Sequence, residues 1–537
     1  MTAAIRARAQ ADPDGLALAD DSGTRTWAEV AGDLERAAGA LLAVAPDSGQ
    51  RVSVIGENTI ATLEAHAAAL TVGVGTVATS RQLRPAELAD QYADAGVVCA
   101  IAGPASLPAV REAAPLAGLH TIVTYGTPDT TGTPDGASRL DPAGAPPDIV
   151  PWSDWLAAAP PVPPDAGLRP PRPLLVYTSG TTGRARGAEV RWTVTLPHTA
   201  AEYVAAITAE SGFPPGPHLV VGPMQHNAPL TSVRHLLAGQ PVIILGRFDA
   251  EAILRLIERY RVTSTVMVPT HFQRLLALPA DIRDRYDVSS LRLVSQTGSA
   301  CPAGTKLAMI NWFGPILTES YGGSESGTLC RIDSTEWLAH RGSVGRPRPP
   351  FEVVVLDEQN SEQPAGQVGV LGFRAPQGRG PSYHADPEKT KKAYIAPGVF
   401  TLGDVGYVDE DGYVYITDRI ADMVVSGGVN LYPAESEKVL ITHPAVAEVA
   451  VIGVPHPDLG ESLLALVVPV VGSAGPDDPP DPPDPAGLEA WCRDRLAPYK
   501  VPRAYEFRTE LIYNAMGKPD KKAMRAPYWS TDRTIAG

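Results

Sequence analysis

The sequence predicts an α/β protein. A large N-terminal domain of parallel-rich sheets spans 1–418, its last part (345–418) rich in β structure, and a small α+β C-terminal domain spans 419–537. Three observations carry this. First, Val242–Leu245 is a short apolar run, Asp249 can cap a helix carrying Ile253, Leu256, Ile257 and Tyr260 at helical spacing, and Val262–Val268 is a β-branched run ending at Pro269. Strand, helix and strand in so few residues make a βαβ unit. Second, from Phe351 to Arg419 the pattern changes to strands and turns, with DEDG at 409–412 as a hairpin signal. Third, after Arg419 a helix at Ala434–Leu440, strands at Val449–Val454 and Leu463–Val470, and a helix at Leu488–Leu496 form a smaller unit.

The other elements follow in order. Arg51–Ile55 reads as a buried strand, Leu63–Val72 as a largely apolar helix, and Val97–Ile101 and Thr121–Thr124 as further strands. Residues 132–173, dense in Pro, Gly and Asp around one Trp-containing helical turn, read mostly as loop. Leu174–Val176 is strand-like, and the alternation recurs through Leu291–Leu293. Residues 472–487 (GSAGPDDPPDPPDPAG) are acidic, proline-rich and of low complexity, so an exposed loop is expected.

Composition narrows the function classes. The chain has 537 residues, 44% hydrophobic and 20% charged, with a net charge of −15. That supports a substantial core and argues against an extended nucleic-acid groove. The four cysteines (Cys99, Cys301, Cys330, Cys492) lack any paired spacing. The apolar run Leu463–Val471 is about half the length a membrane span needs, and no signal-peptide-like segment opens the chain. A cytoplasmic protein without membrane insertion, monomeric or homodimeric, is expected.

Four stretches carry chemistry. Tyr177–Gly187 (YTSGTTGRARG) follows a strand and gathers Thr178, Ser179, Thr181 and Thr182 with Gly180, Gly183 and Gly187, plus Arg184 and Arg186. Glycines let backbone amides approach an anion, and hydroxyls and guanidinium groups add donors, which is what a polyphosphate-binding loop needs. No Gly-Lys-Ser/Thr closes it, so it is not a Walker sequence. Thr318–Gly327 (TESYGGSESG) offers a stacking face at Tyr321, exposed backbone at Gly322, and at Ser324 and Glu325 a hydroxyl and a carboxylate suited to a magnesium-bound phosphate; a surface turn would read the same. In Leu402–Tyr432, Asp404 is placed at a strand end in a Gly-flanked turn, where it is either a turn residue or an acceptor for ribose hydroxyls. Asp418-Arg419 falls where composition changes. Tyr513–Lys522 (YNAMGKPDKK) puts a Gly-Lys at a loop tip, which alone reads equally as a solvated charge cluster.

In this order and spacing the four stretches resemble the adenylate-forming superfamily of acyl-CoA synthetases, peptide-synthetase adenylation domains and luciferases, from Thr26-Trp27-Ala28-Glu29 to Lys518. PMQHNAP (223–229), VPTHFQRLL (268–276), WFGP (312–315) and GSVGRP (342–347) look most like fatty-acid and bile-acid type CoA ligases. The resemblance implies that 177–187 holds the β- and γ-phosphates of ATP and that Tyr321 stacks on adenine. Glu319 and the Gly298-Ser299-Ala300 turn would edge the adenine, and Ser320 and Gly322 would also lie at the nucleotide. It implies Ser324 at the α-phosphate, Glu325 at Mg²⁺, Asp404 and Arg419 at the ribose, Lys518 bridging the attacking carboxylate and the α-phosphate, and His226 as a gate between acyl and nucleotide pockets. It also implies a mobile C-terminal domain that swings about Ala421 and brings the face around Ser426–Gly428 to the adenylate for attack by coenzyme A. The acceptor pocket would be lined by Gln225, Asn227, His271, Gln296 and Thr297; either these polar groups point to a small polar or aromatic acid, because unpaired buried polar groups are costly, or several of them face solvent or the backbone.

The sequence departs from the family pattern in having Ala185-Arg186 for the usual Pro-Lys, Ser324 for threonine and Ala421 at the hinge. Arg186 remains a candidate catalytic cation with Lys518. The leading expectation is ATP-dependent adenylation of a small carboxylic acid followed by transfer to coenzyme A. The alternative is an adenylated nitrite condensed with an aryl amine, a diazotase of secondary metabolism.

Overall fold

The computed structural model describes the chain except for residues 1, 48, 127–146, 179–185, 191, 194–196, 211, 358, 377–378, 385, 420–421, 427–428, 471–483, 515–517 and 530–537. Its contacts divide into two compact units: Met1–Arg341 with Pro376–Ala393, and Gly342–Ala375 with Tyr394–Gly537.

The first unit is built on two parallel-rich sheets. In one, Leu317–Gly323, Leu293–Gln296, Ser264–Met267, His218–Val220, Val242–Ile244 and Leu16–Asp20 lie side by side and parallel. Gly327–Asp333 and Gly23–Thr26 pair antiparallel at its ends. In the other, Asp148–Pro151, Thr121–Thr124, Val97–Ala102, Arg51–Ile55, Gly75–Ala78 and Leu175–Thr178 are parallel, and Arg186–Glu189 returns antiparallel. Both faces of such sheets are covered, and every residue of Arg51–Ile55 is buried, Arg51 and Ser53 included. The helix Ile60–Thr71 packs against strands of both sheets. All its residues except Ala61 are buried, and the alanines allow that close approach.

The βαβ reading holds: Asp249 caps the helix Ala250–Tyr260, its carboxylate accepting from the Ala252 amide at 2.6 Å. Pro269 ends the preceding strand as expected, but it also opens a helix, Pro269–Leu276, because proline suits the first turn. Within 132–173 the Trp-containing helical turn is the helix Trp152–Ala157, while Asp148–Pro151, expected as loop, is a strand.

The second unit holds two mainly antiparallel sheets. One runs Glu352–Leu356, Gly369–Arg374, Val399–Val408, Tyr394–Ala396, with Val414–Arg419 also pairing with Val399–Val408. Residues 409–412 turn between these last two strands, as the hairpin signal predicts. The other sheet pairs Val446–His456 with Gly460–Pro469, flanked by Val424–Ser426, Val429–Leu431 and the parallel strand Ala504–Phe507. The helix expected at Leu488–Leu496 lies three residues earlier, Pro485–Arg493. Asp484 caps it and Pro485 starts it, so the end of the expected 472–487 loop is helical, while 471–483 lie outside the described residues. Among the described residues no helix is long and apolar enough to cross a membrane.

Candidate functional site

The glycine–hydroxyl loop leaves the strand Leu175–Thr178 and returns along Arg186–Glu189, with Thr178 opposite Arg186 and Tyr177 opposite Gly187. Ser179, Gly180, Thr181, Thr182 and Gly183 lie outside the described residues, and only the backbones of Thr178 and Arg186 are described. The base of the loop is tied down. Tyr177 donates its hydroxyl to Asp94 Oδ2 at 2.5 Å, and the Gly187 carbonyl accepts from the His384 amide at 2.8 Å. Beneath it, the nearly buried Arg51 donates to the Ala95 carbonyl at 3.1 Å and lies 3.5 Å from Glu189. Burial, then the neighbouring Arg51, holds the His384 imidazole below its ordinary range.

The second stretch is a hairpin, Leu317–Gly323 with Gly327–Asp333, which puts Ser324 and Glu325 at its tip. A Cβ at Gly322 would lie 1.9 Å from the Gly327 carbonyl oxygen, so only glycine lets the strands close there. The Gly323 amide donates to Ser326 Oγ at 2.9 Å and fixes the tip. Glu325 Oε1 accepts from the Tyr383 hydroxyl at 2.9 Å. Ser324 and Glu325 offer the oxygen donors magnesium takes when phosphates complete its shell. Among the described residues no group of three His, Cys, Asp or Glu side chains is placed to hold a metal by itself.

Two sequence-predicted segments meet beside this hairpin. Gln296 is the register partner of Glu319, and Thr297 Oγ1 donates to the Ser320 carbonyl at 3.0 Å. The chain then turns through Gly298, whose φ of +93° suits glycine, into Ser299 and Ala300. This turn therefore lies against the strand that carries Ser320 and Tyr321. The Glu319 carboxylate is turned inward: it takes the Lys306 ammonium at 2.6 Å, with Lys306 1% exposed and 4.7 Å from the Trp337 ring centre. Burial raises the Glu319 carboxyl above its ordinary range, against the lowering pull of Lys306.

The expected acceptor-pocket residues bond mostly within the protein. Gln225 Oε1 accepts from the Arg81 amide at 3.2 Å, and its amide nitrogen lies 3.5 Å from His226 Nε2. Asn227 Oδ1 accepts from the Trp192 indole at 2.8 Å. His271 stacks on Phe248 at 5.0 Å, and its Nδ1 faces the Val268 amide at 3.4 Å. Burial holds it neutral, down to about 4. Gln296 donates to the Ser299 carbonyl at 2.8 Å, while its buried Oε1 meets no hydrogen-bond partner among the described residues. His271 also neighbours Gly222, where a Cβ would stand 3.7 Å from its ring.

Sequence reasoning missed Asn58, which orders this region. Its amide donates to the Gly222 and Leu245 carbonyls at 2.9 and 3.1 Å and its oxygen accepts from the Met224 amide at 2.8 Å, joining turns that leave strands of both sheets. A polar residue after an apolar strand was the available signal, but its partners lie 164 and 187 positions away.

In the second unit Asp404 is not at a strand end. It lies within Val399–Val408, next to Gly403 with its φ of +80°, directly opposite Arg419. The glycine kink gave the sequence a turn-like look, while the pairing continues through it. Arg419 Nε donates to Asp404 Oδ1 at 3.2 Å; the Asp404 side chain is 5% exposed and that of Arg419 62%. Asp418 accepts from the Arg419 and Ala434 amides at 2.7 and 2.8 Å. Burial raises its carboxyl to about 6. Lys518 closes a small loop: its amide donates to Asn514 Oδ1 at 3.1 Å and its carbonyl accepts from the Asn514 amide at 2.8 Å. The expected hinge residue Ala421 and the Gly427-Gly428 part of the second face lie outside the described residues, and Ser426 ends the strand Val424–Ser426.

Comparison with known proteins agrees with the four-motif resemblance. The sequence pattern of the AMP-binding enzyme family matches residues 5–380, and that of the AMP-binding enzyme C-terminal domain matches 435–518. The chain is 33% identical over 523 residues to a feruloyl-CoA synthase of Amycolatopsis, covering 96% of this chain and 97% of that one. It is 33% identical over 360 residues to a medium/long-chain-fatty-acid–CoA ligase of Mycobacterium tuberculosis, covering 66% of this chain and 61% of that relative's length. Among solved structures, an amide bond synthetase of Marinactinospora thermotolerans superposes with a TM-score of 0.77 at 26% identity, over 98% of this chain and 100% of that one.

Proposed function

The chain belongs to the AMP-binding enzyme family, and on that premise we propose that it is an ATP-dependent, AMP-forming ligase. It adenylates a small carboxylic acid, releases pyrophosphate, and passes the acyl group to coenzyme A. The observation that carries this reading is the hairpin at 317–333, whose tip presents Ser324 and Glu325 beyond Tyr321 while the Gln296–Ala300 turn is bonded to the same strand. On this reading one element carries both a nucleotide edge and the carboxylate for the cation.

In this reading Tyr321, Gly322 and the Gly298–Ala300 turn hold the adenine, Asp404 and Arg419 the ribose, and residues 178–183 with Arg186 the phosphates. Mg²⁺ would lie at Glu325 and neutralise phosphate charge. A carboxylate attacking an α-phosphate brings two anions together, so the work left to the protein is alignment and cationic charge, which Lys518 and Arg186 supply. With ATP and coenzyme A as co-substrates, the cytoplasm is the compartment that fits.

A second reading keeps the adenylation and changes the acceptor to an amine, with nitrite as the activated acid. The amide bond synthetase of similar fold gives it a structural precedent, but the likeness to CoA-forming relatives over nearly the whole chain favours the first.

The test offers purified protein ATP, Mg²⁺ and fatty acids, aryl acids, or nitrite with an aminoaryl acid, each with and without coenzyme A. AMP release requiring a carboxylic acid and coenzyme A is the expected result; release with nitrite and amine, indifferent to coenzyme A, selects the second reading. Lys518→Ala should lower adenylation by about 10²–10³-fold, by analogy with losing one oxyanion donor. Retention of most activity would remove Lys518 from the reaction.

A further inference from the structure

Tyr383 belongs to none of the four motif stretches, yet it bonds to one of them, and its neighbour His384 bonds to another. Its hydroxyl donates to Glu325 Oε1 at 2.9 Å across 58 positions of sequence. Its backbone forms an antiparallel bridge to Ala188, and the next residue, His384, donates its amide to Gly187 at 2.8 Å. Both partners lie on the strand Arg186–Glu189, by which the glycine–hydroxyl loop returns. Tyr383 is itself held from behind, its amide donating to Thr390 Oγ1 at 3.0 Å, and Thr390 Oγ1 donates to the Asp386 carbonyl at 3.0 Å. The His384 ring lies 3.2 Å from the Asp94 carbonyl and 3.5 Å from Arg51.

We propose that Tyr383 is a positioning residue for the divalent cation that accompanies ATP: its hydroxyl fixes the Glu325 carboxylate, and its backbone ties that carboxylate to the strand Arg186–Glu189. The proposal rests on the nucleotide-binding reading above. A carboxylate has two oxygens, and a neutral donor on one orients the other without cancelling the negative charge a cation needs. A lysine or arginine there would compete with the cation. Partners of this kind, one bond behind a metal ligand, are worth about 10–100-fold in metal affinity.

The test is calorimetric titration of the full-length protein with ATP, with magnesium present and again with the divalent cation chelated. Tyr383→Phe removes the hydroxyl and keeps the ring. The expected result is that the gain in ATP affinity produced by magnesium shrinks about tenfold, while ATP affinity in chelator matches the wild type. Glu325→Gln should abolish the gain, and adding Tyr383→Phe to it should cost nothing more. A Tyr383→Phe protein with the full magnesium gain, or one losing affinity equally with and without magnesium, overturns the proposal and leaves the nucleotide reading standing. A wild-type protein that binds no ATP under either condition overturns both. If Tyr383→Phe fails to fold, Tyr383→Gln supplies a neutral donor on a different frame, and it must keep a larger magnesium gain than Tyr383→Ala for the proposal to survive.

Discussion

Glu319 shows how a motif residue can serve two masters. The family resemblance puts it at the edge of the adenine, while the structure bonds its carboxylate to the buried Lys306. An ammonium 1% exposed needs that counter-charge. Glu319→Gln should therefore destabilise the protein by about 3–5 kcal/mol, as breaking one side of a buried pair does. Removing both charges with Lys306→Met and Glu319→Leu should recover most of the loss, read from urea midpoints. A Glu319→Gln protein of wild-type stability but weakened ATP binding would put the carboxylate on the nucleotide instead. Tyr321, Glu325 and Lys518 could be singled out as candidates because each sits in short contiguous motif wording. Lys306 and Tyr383 could not, because each acquires its meaning from a partner brought near only by the fold.

Among the elements, strands were the easiest to read and helix starts the hardest. Arg51–Ile55 and Thr121–Thr124 have the bounds expected, since each is a short β-branched run almost wholly buried. The helix expected from Leu63 begins at Ile60 because Thr59 caps it, accepting from the Thr62 amide at 3.3 Å, and the capping box of Thr26 and Glu29 opens the long helix Trp27–Val44. Such caps are single polar residues inside otherwise featureless wording. Asn58 is the junction on which these elements depend. Asn58→Ala would leave the Gly222 and Leu245 carbonyls and the Met224 amide without the bonds it makes. At about 1–3 kcal/mol for each buried orphan, a loss of roughly 3 kcal/mol or more is expected in denaturant unfolding. A change within 1 kcal/mol would show that water takes over these bonds.

For the molecule as a whole, buried titratable groups set how stability follows pH. Burial lowers His66 to about 3 and His271 to about 4, and lowers His218 and His235 as well. In the unfolded chain these rings take up protons near 6.5. Their contribution is thus complete above about pH 6.5 and is lost as pH falls towards 4, on the order of 3 kcal/mol for His271 alone. Glu64 acts with the opposite sign. Burial, with Asp33 adding to it, raises its carboxyl well above the ordinary range, so it costs stability as pH climbs past about 4.5. Urea midpoints should fall between pH 7 and pH 5, and Glu64→Gln should raise the midpoint at pH 7.5 with the advantage closing below pH 4.5. An advantage of the same size at every pH would mean that Glu64 is not buried neutral. The helix that carries both Glu64 and His66 has a further consequence, for biosynthesis. Ile60–Thr71 is covered in part by the helices Ala200–Ala209 and Ser232–Leu237, which leave the ribosome long after it. At about 5–20 residues per second, this apolar segment must wait on the order of ten seconds on the nascent chain before its cover arrives, and that interval is when a chaperone would have to shield it.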